Sequence, residues 1–142
     1  STLTVLAQSA WRLDNLGAGD TVLCTLDARI NEIYSAVYSY EDNLAVLREG
    51  PWACAPADLA PGGFGFLHAV GSGCQLMSQF PGALRARIRS STPDLRPAAR
   101  DIIPLALAKF ECGEILSPRQ VQPVYVRDEI SWKKLAEQGK HP

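Results

Sequence analysis

Leu3, Leu6, Ala7, Ala10 and Trp11 recur at helical spacing, so the chain is expected to open inside a helix already under way, ended near Gly17 and Gly19. The pattern then changes to that of strands. Thr21 to Leu26 is an apolar, β-branched run, Asp27 to Asn31 reads as a turn, and Glu32 to Tyr40 alternates. In this second run Ile33, Ser35, Val37 and Ser39 fall on one face, and Tyr34, Ala36, Tyr38 and Tyr40 on the other. Glu41-Asp42-Asn43 forms a second polar turn, after which Leu44 to Glu49 resumes as a third strand and completes an antiparallel meander.

Pro51, Pro56 and Pro61 then interrupt the chain, with room for a short helix over Ala57 to Ala60. Phe66 to Val70 reads as a fourth strand running into Gly71-Ser72-Gly73, with a helix from Cys74 to Phe80 that Pro81-Gly82 ends. A longer helix is expected over Pro97 to Cys112, with Ile102, Ile103, Leu105, Ala106 and Phe110 on its inner face. Pro104 should kink that helix or delay its start, because proline lacks a backbone donor. Three strands followed by helix, strand and helix make an α/β fold. The expected architecture is a ribonuclease H-like domain, one half of the actin-like ATPase fold, with a mixed sheet beginning in the meander and flanked by helices.

At 142 residues and 46% apolar content, the chain is read as one domain over residues 1–142, with 123–142 as an extended tail. A domain of this size buries roughly two-thirds of its unfolded surface. The absence of an apolar run long enough to span a bilayer, and of a signal-peptide pattern at Ser1-Thr2-Leu3-Thr4, leads to an expected cytoplasmic location. Cys24, Cys54, Cys74 and Cys112 are too irregularly spaced for a zinc site or a disulfide framework, so four reduced thiols are expected. The net charge of -1 is unevenly spread: residues 1–60 hold eight acidic and three basic groups, residues 61–142 seven and eleven. Arg85, Arg87, Arg89, Arg96 and Arg100 form the densest basic stretch, which suits a solvated face, phosphate or an acidic protein surface. Without interleaved aromatic residues it gives no reason to expect direct nucleic-acid binding.

The candidate chemistry is thin. Gly71, Ser72 and Gly73 between a strand and a helix invite a phosphate-loop reading, but neither a Walker pattern nor a dinucleotide fingerprint is present, and a tight turn into a helix is the favoured explanation of the glycines. Asp27, Glu32 and Asp58 are the carboxylates available for a two-metal nuclease site; a turn with local pairing among Asp27, Arg29 and Glu32 is the alternative. Ser72 or Cys74 as nucleophile with His68 as base is a further arrangement, for which no orienting group is evident. With only His68 and His141, no His-rich metal cluster can form within the chain, and neither a metal nor another cofactor is expected.

The last stretch, Pro123 to Lys134, carries Val124, Tyr125, Val126 and Trp132 as apolar anchors with Arg127, Lys133 and Lys134 as charges. Such a segment suits burial against a partner or against its own domain. Together with Asp27-Ala28-Arg29 followed by Glu32 and Tyr34, the Gly71-Ser72-Gly73 turn and Pro104-Leu105-Ala106, the Pro-Val-Tyr-x-Arg tail ending at Trp132 and Lys133 resembles the TsaB (YeaZ) family. These proteins belong to the tRNA threonylcarbamoyladenosine pathway. The residues that carry the likeness are Asp27, Arg29, Glu32, Tyr34, Tyr125, Arg127, Trp132 and Lys133, with Gly71, Ser72 and Gly73 as a relic nucleotide loop.

The resemblance implies a catalytically inert paralogue of TsaD, the transferase that modifies tRNA, acting as its scaffold and heterodimer partner with the ATPase TsaE joining the pair. It also implies a chain that matches the C-terminal part of such a protein. A homodimer is expected through apolar surface left bare. The competing expectation is a hydrolase, either a glycoprotease-like peptidase or a ribonuclease H-like nuclease.

Overall fold

A computed structural model describes residues 1–13, 16–122 and 126. Its centre is a five-stranded mixed sheet in the order β3-β2-β1-β4-β5. The strands are β1 (Val22–Arg29), β2 (Glu32–Glu41), β3 (Leu44–Cys54), β4 (Leu67–Val70) and β5 (Ile88–Thr92). The first three form the expected antiparallel meander, with Cys24 opposite Ala36 and Tyr40 opposite Ala45, and β4 and β5 add in parallel to β1. This is the α/β architecture foreseen from the pattern, with one strand more. β5 lies within the stretch read as a basic patch.

Both turns of the meander use left-handed backbone. Ile30 and Asn31 have φ of 54° and 55°, Asp42 and Asn43 of 49° and 64°, as two-residue hairpins between right-twisted strands require. The strand read as ending at Glu49 continues to Cys54, because a register shift opposite Val37 accommodates Gly50 and Pro51 at the sheet edge.

The two faces of the sheet are covered differently. Helix α1 (Thr2–Leu13) lays Leu3, Leu6, Ala7 and Ala10 over Val22, Cys24, Ala36, Tyr38, Tyr40 and Val70. The tyrosine face predicted for β2 is therefore the helix-bearing face. Tyr40 donates its hydroxyl to the Ala7 carbonyl at 2.6 Å, and Trp11 tilts onto its ring at 4.5 Å. The opposite face buries Leu23, Ile33, Val37, Leu59, Leu67, Phe80 and Leu84 under the chain between β3 and β5. That cover consists of a 3₁₀ turn at Pro56–Asp58, a longer 3₁₀ segment at Ser72–Gln79 and the one-turn helix α2 (Gly82–Arg85). The helix expected from Cys74 is thus a 3₁₀ helix that begins at Ser72.

Arg87 ties this cover to the sheet. Its guanidinium donates to the carbonyls of Pro61, Gly62, Phe64 and Gly65. Arg89 stacks over the Phe66 ring at 3.8 Å. Two of the five arginines in the basic stretch are therefore engaged in the fold.

The late helix departs most from expectation. A 3₁₀ turn at Ala99–Asp101 leads into α3 (Ile102–Glu111), so Pro104 occupies the first helical turn, where its missing N–H is not needed. The expected inner face is not inner: no residue of α3 is buried, Ile103 is 66% exposed and Phe110 65%. Among the described residues, its side-chain hydrogen bonds to the body of the fold are at its start. Asp101 accepts from Ser9 Oγ at 2.5 Å and from Arg12 Nε and Nη2 at 2.7 and 2.9 Å. The Arg12 guanidinium holds the Asp101 carboxyl below the usual carboxylate range, against the opposing effect of burial. This staple between α1 and the root of α3 joins residues about 90 positions apart and carries no local sequence signal.

Candidate functional site

In an open sheet with parallel strands, a ligand crevice is expected beyond the carboxyl ends of those strands, where the chain order switches direction. Here that place is the corner after β1 and β4. It brings together three of the sequence candidates. Asp27 donates its backbone N–H to Ser72 Oγ at 3.1 Å, and its carboxylate accepts the Arg29 N–H at 2.8 Å with the Arg29 guanidinium 4.0 Å away. The local pairing expected for Asp27 and Arg29 is present, on an exposed hairpin. Glu32 begins β2 directly opposite Arg29.

Gly71 and Gly73 are pressed against β1 rather than held open. Gly71 has φ 95° and ψ 173°, a region closed to other residues. A Cβ placed on it would stand 2.3 Å from the Thr25 carbonyl oxygen and 2.7 Å from Leu6 Cδ2; one on Gly73 would stand 2.8 Å from Thr25 Cβ. Thr25 closes the contact by donating to the Val70 carbonyl at 3.3 Å, with its hydroxyl 3.2 Å from Cys74 Sγ. The glycines are required by the approach of two backbones. Beside Ser72 lies a cavity of about 290 Å³, lined by Leu26, Pro93, Leu95, Arg96 and Pro97. That volume sits at the bottom of the range of ordinary ligand sites, roughly 300–1,000 Å³.

The proposed nucleophiles fare no better. Burial pushes the Cys74 and Cys24 thiols up, which disfavours the thiolate that attacks or binds metal. Burial and the carboxylates of Asp58 and Glu32 do the same to Cys54. His68 points its ring elsewhere: Nδ1 is 2.7 Å from Ser90 Oγ and Nε2 is 3.7 Å from Asp20. The base expected for Ser72 or Cys74 thus bonds to Ser90, across the β4–β5 ladder, in an order of Ser, His and Asp that the sequence did not suggest. The Asp20 leg exceeds hydrogen-bond distance, and the other Asp20 oxygen accepts the Gly17 N–H at 2.7 Å. Among the described residues no group of three or more His, Cys, Asp or Glu side chains is placed to hold a metal, so Asp27, Glu32 and Asp58 do not assemble into one site.

Tyr34 packs at the edge of the core cluster under α1. Tyr125, Arg127, Trp132 and Lys133, and with them most of the tail 123–142, lie outside the described residues. The described surface also presents a run of apolar residues on one helix. Ile103, Leu107 and Phe110 follow one another at helical spacing on α3, each more than half exposed.

The chain is 31% identical over 139 residues to the tRNA threonylcarbamoyladenosine biosynthesis protein TsaB of Escherichia coli (strain K12), covering 95% of this chain and 58% of that protein. The TsaB of Haemophilus influenzae is 28% identical over 145 residues, with the same coverage. Two solved structures superpose on it: YeaZ from Pseudomonas aeruginosa, with a TM-score of 0.77 and 28% identity over 88% of this chain and 57% of that one, and an uncharacterized protein described as similar to peptidase YEAZ from the same organism, with a TM-score of 0.80 and 26% identity over 89% and 57%. Over nearly all of its length the chain is similar to part of the TsaB (YeaZ) proteins. It spans a little under three-fifths of the length of the TsaB relatives it matches, 58% in each case. No family model matches it. Its sheet and flanking helices are those of the YeaZ structures, the actin-like and ribonuclease H-like fold. Among the described residues no helix is long and apolar enough to cross a membrane.

Proposed function

We propose that the chain is part of a non-catalytic subunit that supports TsaD in the threonylcarbamoyladenosine modification of tRNA in the cytoplasm, with TsaE joining the pair. The observation that carries this reading is α3, an apolar helix joined to the body at its root and exposing Ile103, Leu107 and Phe110. A helix apolar around most of its circumference is stable only when something covers it. The engagement of Ser72, Asp27, Cys74 and Gly71 in packing and turns supports the same reading, because each candidate catalytic group already has a structural role. The test is restoration of threonylcarbamoyladenosine in cells depleted of their own TsaB, measured on digested tRNA by mass spectrometry. A full-length protein carrying this domain should restore it, and Leu107→Asp with Phe110→Asp should not. Failure of the unaltered protein would overturn the proposal.

A second reading, a hydrolase, draws on the Ser90, His68 and Asp20 arrangement. Its test is labelling by a fluorophosphonate probe that Ser90→Ala abolishes. No labelling would remove it.

A further inference from the structure

β5 is the outer strand of the sheet, and arginines border it along its length. Arg85 closes α2 before the strand, Arg89 lies within it and Arg96 follows it, all three exposed. Among the described residues none of the three makes an ion pair, and Asp94 is the single acid between Arg85 and Arg100. Of the other two arginines in the stretch, Arg87 is held by four carbonyls and Arg100 lies beside the Asp101 carboxylate. The strand is about 17 Å long, so a lone phosphate or carboxylate meets one of these exposed arginines at a time. A chain with a negative charge on every unit meets several together.

The basic stretch contains no aromatic residue in sequence, but the fold brings one to it. Phe66, 55% exposed, lies under the Arg89 guanidinium at 3.8 Å. Its backbone is fixed, because Arg87 donates to the carbonyls of Phe64 and Gly65 just before it. Phe66 and Arg89 thus form a flat cationic platform open to solvent, the kind of surface on which an unpaired base stacks. An acidic peptide gains nothing from the ring and would instead have to add a strand to β5. That is disfavoured, since the ladder shifts register between Leu67 and His68 and leaves Arg89 as the extra residue, a bulge that turns an edge away from further pairing.

We infer that this edge binds single-stranded RNA, with phosphates at Arg85 and Arg96 and an unpaired base on the Arg89–Phe66 pair. The contact belongs to this chain alone and is separate from the apolar face of α3. Its failure would leave the part with TsaD standing, and failure to hold TsaD would leave the RNA contact standing.

Fluorescence anisotropy of the 142-residue chain with a labelled single-stranded oligoadenylate and with an unmodified tRNA transcript tests it. The expected result at low salt is binding in the range of roughly micromolar, weakening as salt rises. Arg85→Ala with Arg96→Ala should flatten the plot of log affinity against log salt by about 1.4, since each phosphate contact on a single strand contributes about 0.7. Phe66→Ala, and Arg89→Lys, which keeps the charge and loses the planar group, should each weaken binding roughly tenfold or more. The salt dependence of both should stay that of the parent, a signature of lost stacking that lost charge does not give. An unchanged far-UV spectrum checks that each variant is folded. No binding at low salt, or affinity that Phe66→Ala and Arg89→Lys leave unchanged, would overturn the inference. Tighter binding of a labelled poly-glutamate peptide than of RNA would also overturn it, by assigning the edge to an acidic protein partner.

Discussion

Replacing Gly71 with alanine separates a packed turn from an open ligand loop. Two costs add at this position. The backbone, at φ 95° and ψ 173°, lies where a side chain costs about 1–3 kcal/mol. The new Cβ would also stand 2.3 Å from the Thr25 carbonyl oxygen, so β1 or the loop must shift, at about 1–3 kcal/mol for overpacking a dense site. Together they predict a loss of about 4 kcal/mol, a large part of the 5–15 kcal/mol of a typical domain. Gly19→Ala isolates the first cost, since Gly19 has φ 99° and no neighbour within 4 Å of its Cβ position. Gly73→Ala isolates the second, because its contacts are with Thr25 and Leu26 and its φ is not positive. Urea unfolding followed by far-UV circular dichroism measures all three, provided the slope m is unchanged. The expected order of loss is Gly71, then Gly73, then Gly19 at about 1 kcal/mol. A Gly71→Ala variant no less stable than Gly19→Ala would refute the reasoning and return the loop to the candidates for ligand binding.

Asp101→Asn should cost about 1–3 kcal/mol, by removing the charge that faces Arg12 and replacing one of the two oxygens that accept from Ser9 and Arg12 with an amide donor. Because the folded-state pKa of Asp101 is depressed, its contribution is complete above the unfolded value of about 3.9 and is lost as the pH falls through the lower folded value. Thermal melts across that acid range should therefore show a shallower decline in the variant than in the parent; parallel curves would contradict this. Exposed Cys112 should react first with a thiol reagent, Cys54 more slowly, and buried Cys24 and Cys74 only on unfolding, as counted by mass spectrometry. Ile30→Gly should raise stability by about 1 kcal/mol, since Ile30 is 86% exposed at φ 54° and has little packing to lose; a lower unfolding midpoint would show that its side chain does more. Light scattering should show concentration-dependent self-association that Phe110→Asp abolishes, and a strictly monomeric parent would remove this expectation.

The antiparallel meander and α1 were legible in the sequence because each follows from local periodicity. Tyr34, Tyr38 and Tyr40 alternate onto one face, Leu3, Leu6 and Ala10 recur at helical spacing, and Asp42-Asn43 marks its own turn. β5 was not, since Ile88-Arg89-Ser90-Ser91-Thr92 has the composition of a polar surface and becomes a strand only by pairing with β4. The helix expected over Cys74 to Phe80 is present as a 3₁₀ segment shifted to Ser72–Gln79. α3 misled for the opposite reason: its apolar residues satisfy a pattern for burial, yet Ile102, Ile103, Leu107 and Phe110 stay exposed in the described fold. At the candidate site, Gly71 to Gly73 was readable as a turn, whereas the partner that requires the glycines, Thr25, lies 46 positions from the first of them. The bond between His68 and Ser90 depends on β5 and was hidden with it.

The proposed role is tested most directly by capture of this chain on immobilised, purified TsaD, with and without TsaE, beside its Leu107→Asp, Phe110→Asp variant. Retention of the chain and its loss in the variant, with an unchanged far-UV spectrum, is the expected result. Equal retention of both would show that α3 is not the contact, and retention of neither would contradict a scaffold role for this domain.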